Sequence, residues 1–128
     1  MAEPLRILVV EDEPDMCWAL DRILRGAGYE VTIAGNGAQA LRLVGKESYA
    51  AAFVDAKLPD VDGLEVAAQI KQDSPRTGVV IVSGYFYADD QAIIDSLENG
   101  LLVGFVGKPF DTEQLLRMAQ QATGHANG

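Results

Sequence analysis

The sequence predicts an α/β domain built on an open, doubly wound parallel sheet. Five short, almost wholly aliphatic runs alternate with segments of helical periodicity along the entire chain, and strands each followed by a helix imply parallel pairing through right-handed crossovers. The runs lack polar alternation, as strands do when helices cover both faces of a sheet. A length of 128 residues holds one domain and falls short of an eight-fold barrel. In open sheets of this kind ligands bind beyond the carboxyl ends of the strands.

Leu5 to Val10 is the first strand, a nearly continuous aliphatic run. Pro14 opens a helix, where a missing N–H costs nothing, and Met16, Ala19, Leu20, Ile23 and Leu24 recur at helical spacing. Gly26 and Gly28 end it. Tyr29 to Ala34 forms the second strand, and Gly35-Asn36-Gly37 turns the chain into a helix through Ala38, Leu41 and Val44. The third strand, Ala50 to Val54, ends at Asp55; a loop with Pro59 and Gly63 leads into a helix through Leu64, Ala67, Ala68 and Ile70. Val79 to Val82 is the fourth strand, and a fourth helix over Ala88 to Glu98 closes at Asn99-Gly100. Leu101 to Val106 is the fifth strand. The last helix begins at Asp111, a capping carboxylate, with Gln114 at the reciprocal capping-box position.

Composition narrows the function. Nineteen acidic against ten basic residues leave a net charge of −9, which repels nucleic-acid backbones and anionic lipid and argues against unaided binding to either. Cys17 is the single cysteine and His125 the single histidine, so an internal disulfide, a zinc site and Ser-His or Cys-His catalysis are not expected. No apolar run approaches the roughly 20 residues that span a bilayer, and Met-Ala-Glu-Pro does not read as a signal peptide. A reduced, cytoplasmic protein is the expectation. Ala122 to Gly128 is the linker-like stretch.

The strand ends carry the chemistry. Strand one ends in Glu11-Asp12 with Glu13 following, strand three in Asp55, strand four in Ser83-Gly84 and strand five in Gly107-Lys108-Pro109. Strand two ends in Ala34-Gly35 and offers nothing reactive, as suits an edge. Three carboxylates, Glu11, Asp12 and Asp55, thus converge with one hydroxyl and one ammonium. Crowded carboxylates are costly unless a cation joins them, and Mg²⁺ takes few carboxylates while keeping several waters. A carboxylate beside Mg²⁺ and Lys108 suits nucleophilic attack on phosphorus through an aspartyl phosphate.

Val9-Val10-Glu11-Asp12-Glu13-Pro14, Val54-Asp55-Ala56-Lys57-Leu58-Pro59-Asp60-Val61-Asp62-Gly63, Ser83-Gly84 and Lys108-Pro109-Phe110, in this order and spacing, resemble the receiver domain of two-component response regulators. The resemblance runs from about Leu5 to Thr123. It implies a single flavodoxin-like (βα)5 domain over residues 1–123 with strand order 2-1-3-4-5, and a flexible tail or the start of a linker at 124–128. It implies Asp55 as the phosphoacceptor, Glu11, Asp12, Asp55 and the backbone carbonyl of Lys57 as Mg²⁺ ligands, Ser83 as the hydroxyl that bonds the phosphoryl group, and Lys108 as the family's lysine. Pro109, in the family, often follows a cis bond. Phe105 matches the switch aromatic that turns inward. The phosphodonor is then a sensor histidine kinase or histidine phosphotransfer protein, and the domain is no metabolic enzyme beyond Mg²⁺-dependent self-phosphorylation from a donor and autodephosphorylation. An output partner or effector domain is implied, and a homodimer through helix four, strand five and helix five is one route to output.

Some residues depart from that pattern. Tyr85-Phe86-Tyr87 follows Ser83-Gly84 and is either loop packing or an interaction patch, in a stretch to Lys108 somewhat longer than usual. Gly104 and Gly107 flank Phe105-Val106 and loosen strand five. Lys57, close to Asp55, is a candidate influence on phosphoryl lifetime in either direction. Trp18 lies off the apolar stripe of helix one, as edge cover for the core or as an anchor for a partner, since the family's first helix docks the donor's helical bundle; Cys17 reads as a small hydrophobe. A haloacid-dehalogenase-type phosphatase would need an Asp where Lys57 stands, and a flavin binder would not place Glu11-Asp12-Glu13 at its phosphate loop. A degenerate receiver acting as a phosphorylation-independent interaction module is the alternative.

Overall fold

The computed structural model describes residues 3–84 and 90–124. Its elements are β1 (Arg6–Val10), α1 (Pro14–Gly26), β2 (Glu30–Ala34), α2 (Gly37–Lys46), β3 (Ala51–Asp55), α3 (Gly63–Asp73), β4 (Gly78–Ser83), α4 (Gln91–Glu98), β5 (Gly104–Gly107) and α5 (Thr112–Ala122). All strands pair in parallel in the order β2-β1-β3-β4-β5, as expected for the doubly wound fold. Tyr85, Phe86, Tyr87, the first residue expected of helix four, Ala88, and His125 lie outside the described residues. No helix among the described residues is long and apolar enough to cross a membrane.

The aliphatic strands sort their side chains by parity. Leu8, Val10, Ala52, Val54, Val79 and Ile81 face one side, packed with Ala40 and Val44 of α2, Val66, Ala67 and Ile70 of α3 and Ile93 of α4. Ile7, Val9, Ala51, Phe53, Val80, Val82 and Val106 face the other, against Leu20 and Leu24 of α1 and Leu115, Ala119 and Ala122 of α5. Successive side chains leave opposite faces of a strand, so a run with no polar position fills both layers. Burying them is the main stabilising term, at about 1.5–3 kcal/mol for each large side chain.

Strand five starts later than the expected Leu101. The Leu101 N–H donates to Asn99 Oδ1 at 2.9 Å, and the Leu102 N–H donates to the Ser96 carbonyl at 3.0 Å. These residues close α4 instead of extending the sheet. The strand then reaches one residue further, with Gly107 opposite Ser83. Asn36, Asp62, Asp90 and Asp111 each cap a following helix through their side chains.

Candidate functional site

Each predicted polar residue leaves the carboxyl end of a strand at the same edge of the sheet. Glu11 follows β1 directly, and its N–H donates to the Ala34 carbonyl at 2.9 Å. Its side chain is buried, whereas Asp12 beside it is exposed. Asp55 and Ser83, the last residues of β3 and β4, are both buried. Lys108 comes just past β5, its N–H donating to the Ser83 carbonyl at 2.7 Å, and the following bond to Pro109 is cis.

Lys108 is the hub. Its Nζ donates to Glu11 Oε1 at 2.9 Å, Asp55 Oδ2 at 3.3 Å and Glu13 Oε1 at 3.4 Å. Burial pulls the ammonium's pKa down, but the bonds and charges of Glu11 and Asp55 outweigh it and hold the pKa above the ordinary lysine value. The Glu11 pKa is raised as well, which for a carboxylate disfavours the charged form: burial pushes it up to about 7, resisted by Lys108 and helped by Asp55. Glu11 Oε2 also accepts the Glu13 N–H at 3.2 Å. One partly buried ammonium thus meets three carboxylates, two of them buried.

The β3–α3 loop folds back over Asp55. Asp55 Oδ1 accepts the Lys57 N–H at 3.0 Å, Lys57 and Asp62 form an antiparallel bridge, and the Gly63 N–H donates to the Ala56 carbonyl at 2.9 Å. A Cβ on Gly63 would collide with the Asp55 carbonyl oxygen and Ala56 Cα, so only glycine permits this approach. Asp12, Glu13, Asp55, Lys57, Ser83, Gly84 and Lys108 line the resulting cleft.

Glu11, Asp12 and Asp55 each offer a carboxylate oxygen, and these oxygens lie within 4.8 Å of one another. Three hard oxygen donors, one of them on an exposed residue, suit a Mg²⁺ that keeps part of its water shell. The residues present therefore fit the ion that the sequence pointed to.

Beside this cluster, Cys17 is more than a small hydrophobe: its Sγ donates to the Glu11 carbonyl at 3.3 Å, and burial together with Glu11 and Asp12 pushes its thiol pKa up. Phe105 is half-buried against the α2–α3–α4 layer. Trp18 is 64% exposed, with the Arg22 guanidinium 5.3 Å from its ring centroid, so it is not core cover. Two residues without an assigned role in the sequence reading also belong here. Glu13 reaches Lys108, and Asp60 at the loop tip bonds the start of α2. The tandem Glu11-Asp12-Glu13 was a visible signal for the first; nothing local signals the second, whose partners lie more than twenty residues away in sequence.

Comparison with known proteins agrees with this geometry. The response regulator receiver domain family matches residues 7–120. The chain is 33% identical over 123 residues to the transcriptional regulatory protein ZraR of Klebsiella oxytoca, covering 96% of this chain but only 27% of that protein's length. It is 34% identical over 110 residues to the sporulation initiation phosphotransferase F of Bacillus subtilis, covering 86% of each. Among solved structures, the receiver domain of sensor histidine kinase PA1611 from Pseudomonas aeruginosa, which holds a magnesium ion in its active-site cleft, superposes with a TM-score of 0.80 at 27% identity, covering 94% of this chain and 98% of that one. These likenesses do not favour a phosphorylation-independent module, and the family is not in itself one of catalytic enzymes. With the parallel sheet, the acidic cluster and the lysine hub all in place, the chain belongs to the response regulator receiver domain family.

Proposed function

We propose that Asp55 accepts a phosphoryl group from a phosphohistidine on a sensor histidine kinase or a histidine phosphotransfer protein. An Asp55 carboxylate oxygen attacks phosphorus, a P–O bond forms, the P–N bond breaks, and the leaving imidazole nitrogen keeps the electron pair and takes up a proton. Glu11, Asp12, Asp55 and the Lys57 carbonyl are the residues to hold Mg²⁺, which when bound neutralises charge on the phosphoryl oxygens. The chain's own groups do the rest. Lys108 exchanges part of its contact with Glu11 and Asp55 for a phosphoryl oxygen, and the Ser83 hydroxyl donates to another. Phe105 then repacks, and the face formed by α4, β5 and α5 changes, either for an output partner or for a second copy of the chain. The same cleft admits water, so slow autodephosphorylation accompanies self-phosphorylation from small donors.

The observation that carries this reading is Lys108 Nζ lying 2.9 Å from Glu11 and 3.3 Å from Asp55 at the mouth of an acidic cleft. Exposed Trp18 on α1 suits docking of the donor, because tryptophan supplies large contact area at interfaces. The net charge of −9 speaks against direct nucleic-acid contact by this domain, taken as residues 1–123 with a tail or linker at 124–128, and a cytoplasmic location suits a kinase partner.

Intact mass after incubation with acetyl phosphate tests the proposal, with and without Mg²⁺, on the wild type and Asp55→Asn. One Mg²⁺-dependent, hydroxylamine-labile phosphoryl adduct, lost in Asp55→Asn, is expected. A wild type that takes no adduct and also shows no amide shifts on titration with Mg²⁺ and beryllofluoride overturns it.

A further inference from the structure

The tip of the β3–α3 loop is bolted to a different element. Asp60 Oδ1 accepts the Gly37 N–H at 2.9 Å, and Asp60 Oδ2 accepts the Ala38 N–H at 3.0 Å. These are the first two N–H groups of α2, which have no partner within their own helix. The same helix already carries a local cap, Asn36, whose Oδ1 accepts the Gln39 N–H at 2.8 Å. The two backbone bonds hold the Asp60 carboxyl below the usual aspartate range, so it stays ionised and able to accept both. The seat is tight: a Cβ on Gly37 would collide with the Val61 and Val66 side chains.

This strap closes a ring around the acidic cluster. At one end is the loop that supplies the Lys57 N–H to Asp55 Oδ1. At the other is the turn after β2, where the Ala34 carbonyl accepts the Glu11 N–H. β1, whose end carries Glu11 and Asp12, lies between β2 and β3 in the sheet. Asp60 therefore joins the connections on either side of the strand that presents two of the three clustered carboxylates.

We propose that Asp60 is a positioning residue of the phosphoacceptor site: by strapping the β3–α3 loop to Gly37 and Ala38, it fixes the register of Lys57 against Asp55 and so sets the affinity of the site for Mg²⁺. The inference rests on the phosphoacceptor reading given above and adds a residue to it. Without the strap, the loop keeps the Lys57–Asp62 bridge and the Ala56–Gly63 bond at its base and the packing of Leu58 and Val61 against the core, but loses its two polar bonds to α2. Partners one step beyond a metal ligand commonly matter by about 10–100-fold in metal affinity. Asp60 acts a step further out, and a loss of roughly three- to tenfold is expected.

Titration with Mg²⁺ followed by amide chemical shifts tests this on the wild type, Asp60→Ala, Asp60→Asn and Asn36→Ala. Asp60→Ala is expected to weaken Mg²⁺ by that factor, to shift the Lys57 amide already in the metal-free protein, and to slow acetyl phosphate labelling. Asp60→Asn keeps one acceptor and falls between. Asn36→Ala removes a cap of the same helix without touching the loop; it is expected to lower Tm and leave Mg²⁺ affinity unchanged. Should Asp60→Ala bind Mg²⁺ as the wild type does, or Asn36→Ala lose as much affinity, Asp60 is a helix cap and nothing more. A wild type that neither bound Mg²⁺ nor accepted a phosphoryl group would remove the phosphoacceptor reading and this inference together, whereas the two preceding results leave that reading standing.

Discussion

Replacing Glu11 with glutamine stabilises the metal-free domain at alkaline pH and makes that gain vanish in acid. Glu11 titrates near 4.5 when free and at about 7 in the fold, chiefly because its carboxylate is buried. The unfolded chain therefore releases this proton first. As pH rises from below 4.5 through about 7, the folded state binds more protons than the unfolded one, so this group's contribution to stability falls throughout that window and is fully lost above it. At 1.36 kcal/mol per pH unit the loss is about 3 kcal/mol. Glutamine cannot ionise, so it escapes that cost, which is already net of the attraction to Lys108; exchanging the carboxyl O–H for an amide NH₂ in a buried site takes back about 1 kcal/mol. The expected net gain for Glu11→Gln is about 1–2 kcal/mol at pH 8, falling to zero or below at pH 5. Urea unfolding in EDTA, followed by far-ultraviolet circular dichroism at both pH values, measures it. A variant less stable than wild type at pH 8 by about 1 kcal/mol or more would refute the reasoning, because the ionised Glu11–Lys108 pair would then stabilise by more than burial costs.

Three other substitutions probe different parts of the same geometry. Lys108→Met leaves buried Glu11 and Asp55 without their counter-charge; in EDTA at pH 8 it is expected to unfold about 2–4 kcal/mol more easily, with part of that loss recovered by Mg²⁺ in the same urea titration. Gly63→Ala drives a methyl into the Asp55 carbonyl and is expected to cost about 2–3 kcal/mol by urea unfolding and to suppress labelling of Asp55. Trp18→Ala, at an exposed position, changes stability by less than about 1 kcal/mol and leaves acetyl phosphate labelling intact. Its transfer rate from a cognate phosphohistidine protein is expected to fall about tenfold, as suits a tryptophan anchor; an unchanged rate would exclude Trp18 from the donor interface.

The doubly wound architecture and the polar residues at its strand ends were both legible in the residue pattern. Leu8, Val9 and Val10, or Val79 to Val82, have no polar position, so each must be covered on both faces. Helical stripes between such runs then force a doubly wound sheet, and any polar residue at the end of a run lands at one edge. That is why Glu11, Asp12, Asp55, Ser83 and Lys108 were legible: each stands next to an apolar run whose direction is fixed. Boundaries were less legible where local groups compete for the backbone. The Asn99 side chain and the Ser96 carbonyl claim the N–H groups of Leu101 and Leu102 and delay β5 to Gly104.

How those residues share charge, and which groups hold them in place, follows only from the packed fold. Apolar periodicity is set by near neighbours, but Lys108 and Glu11 meet across 97 positions of chain, and Asp60 and Gly37 across 23. The division of one ammonium among Glu11, Asp55 and Glu13 depends on distances of a few ångströms fixed by sheet order and loop closure. So does the placement of Glu11's pKa near 7, because burial and Coulomb interaction vary steeply over such distances. Hydrophobic pattern specifies which elements pack together; only the packed geometry specifies which polar atoms then have to answer to one another.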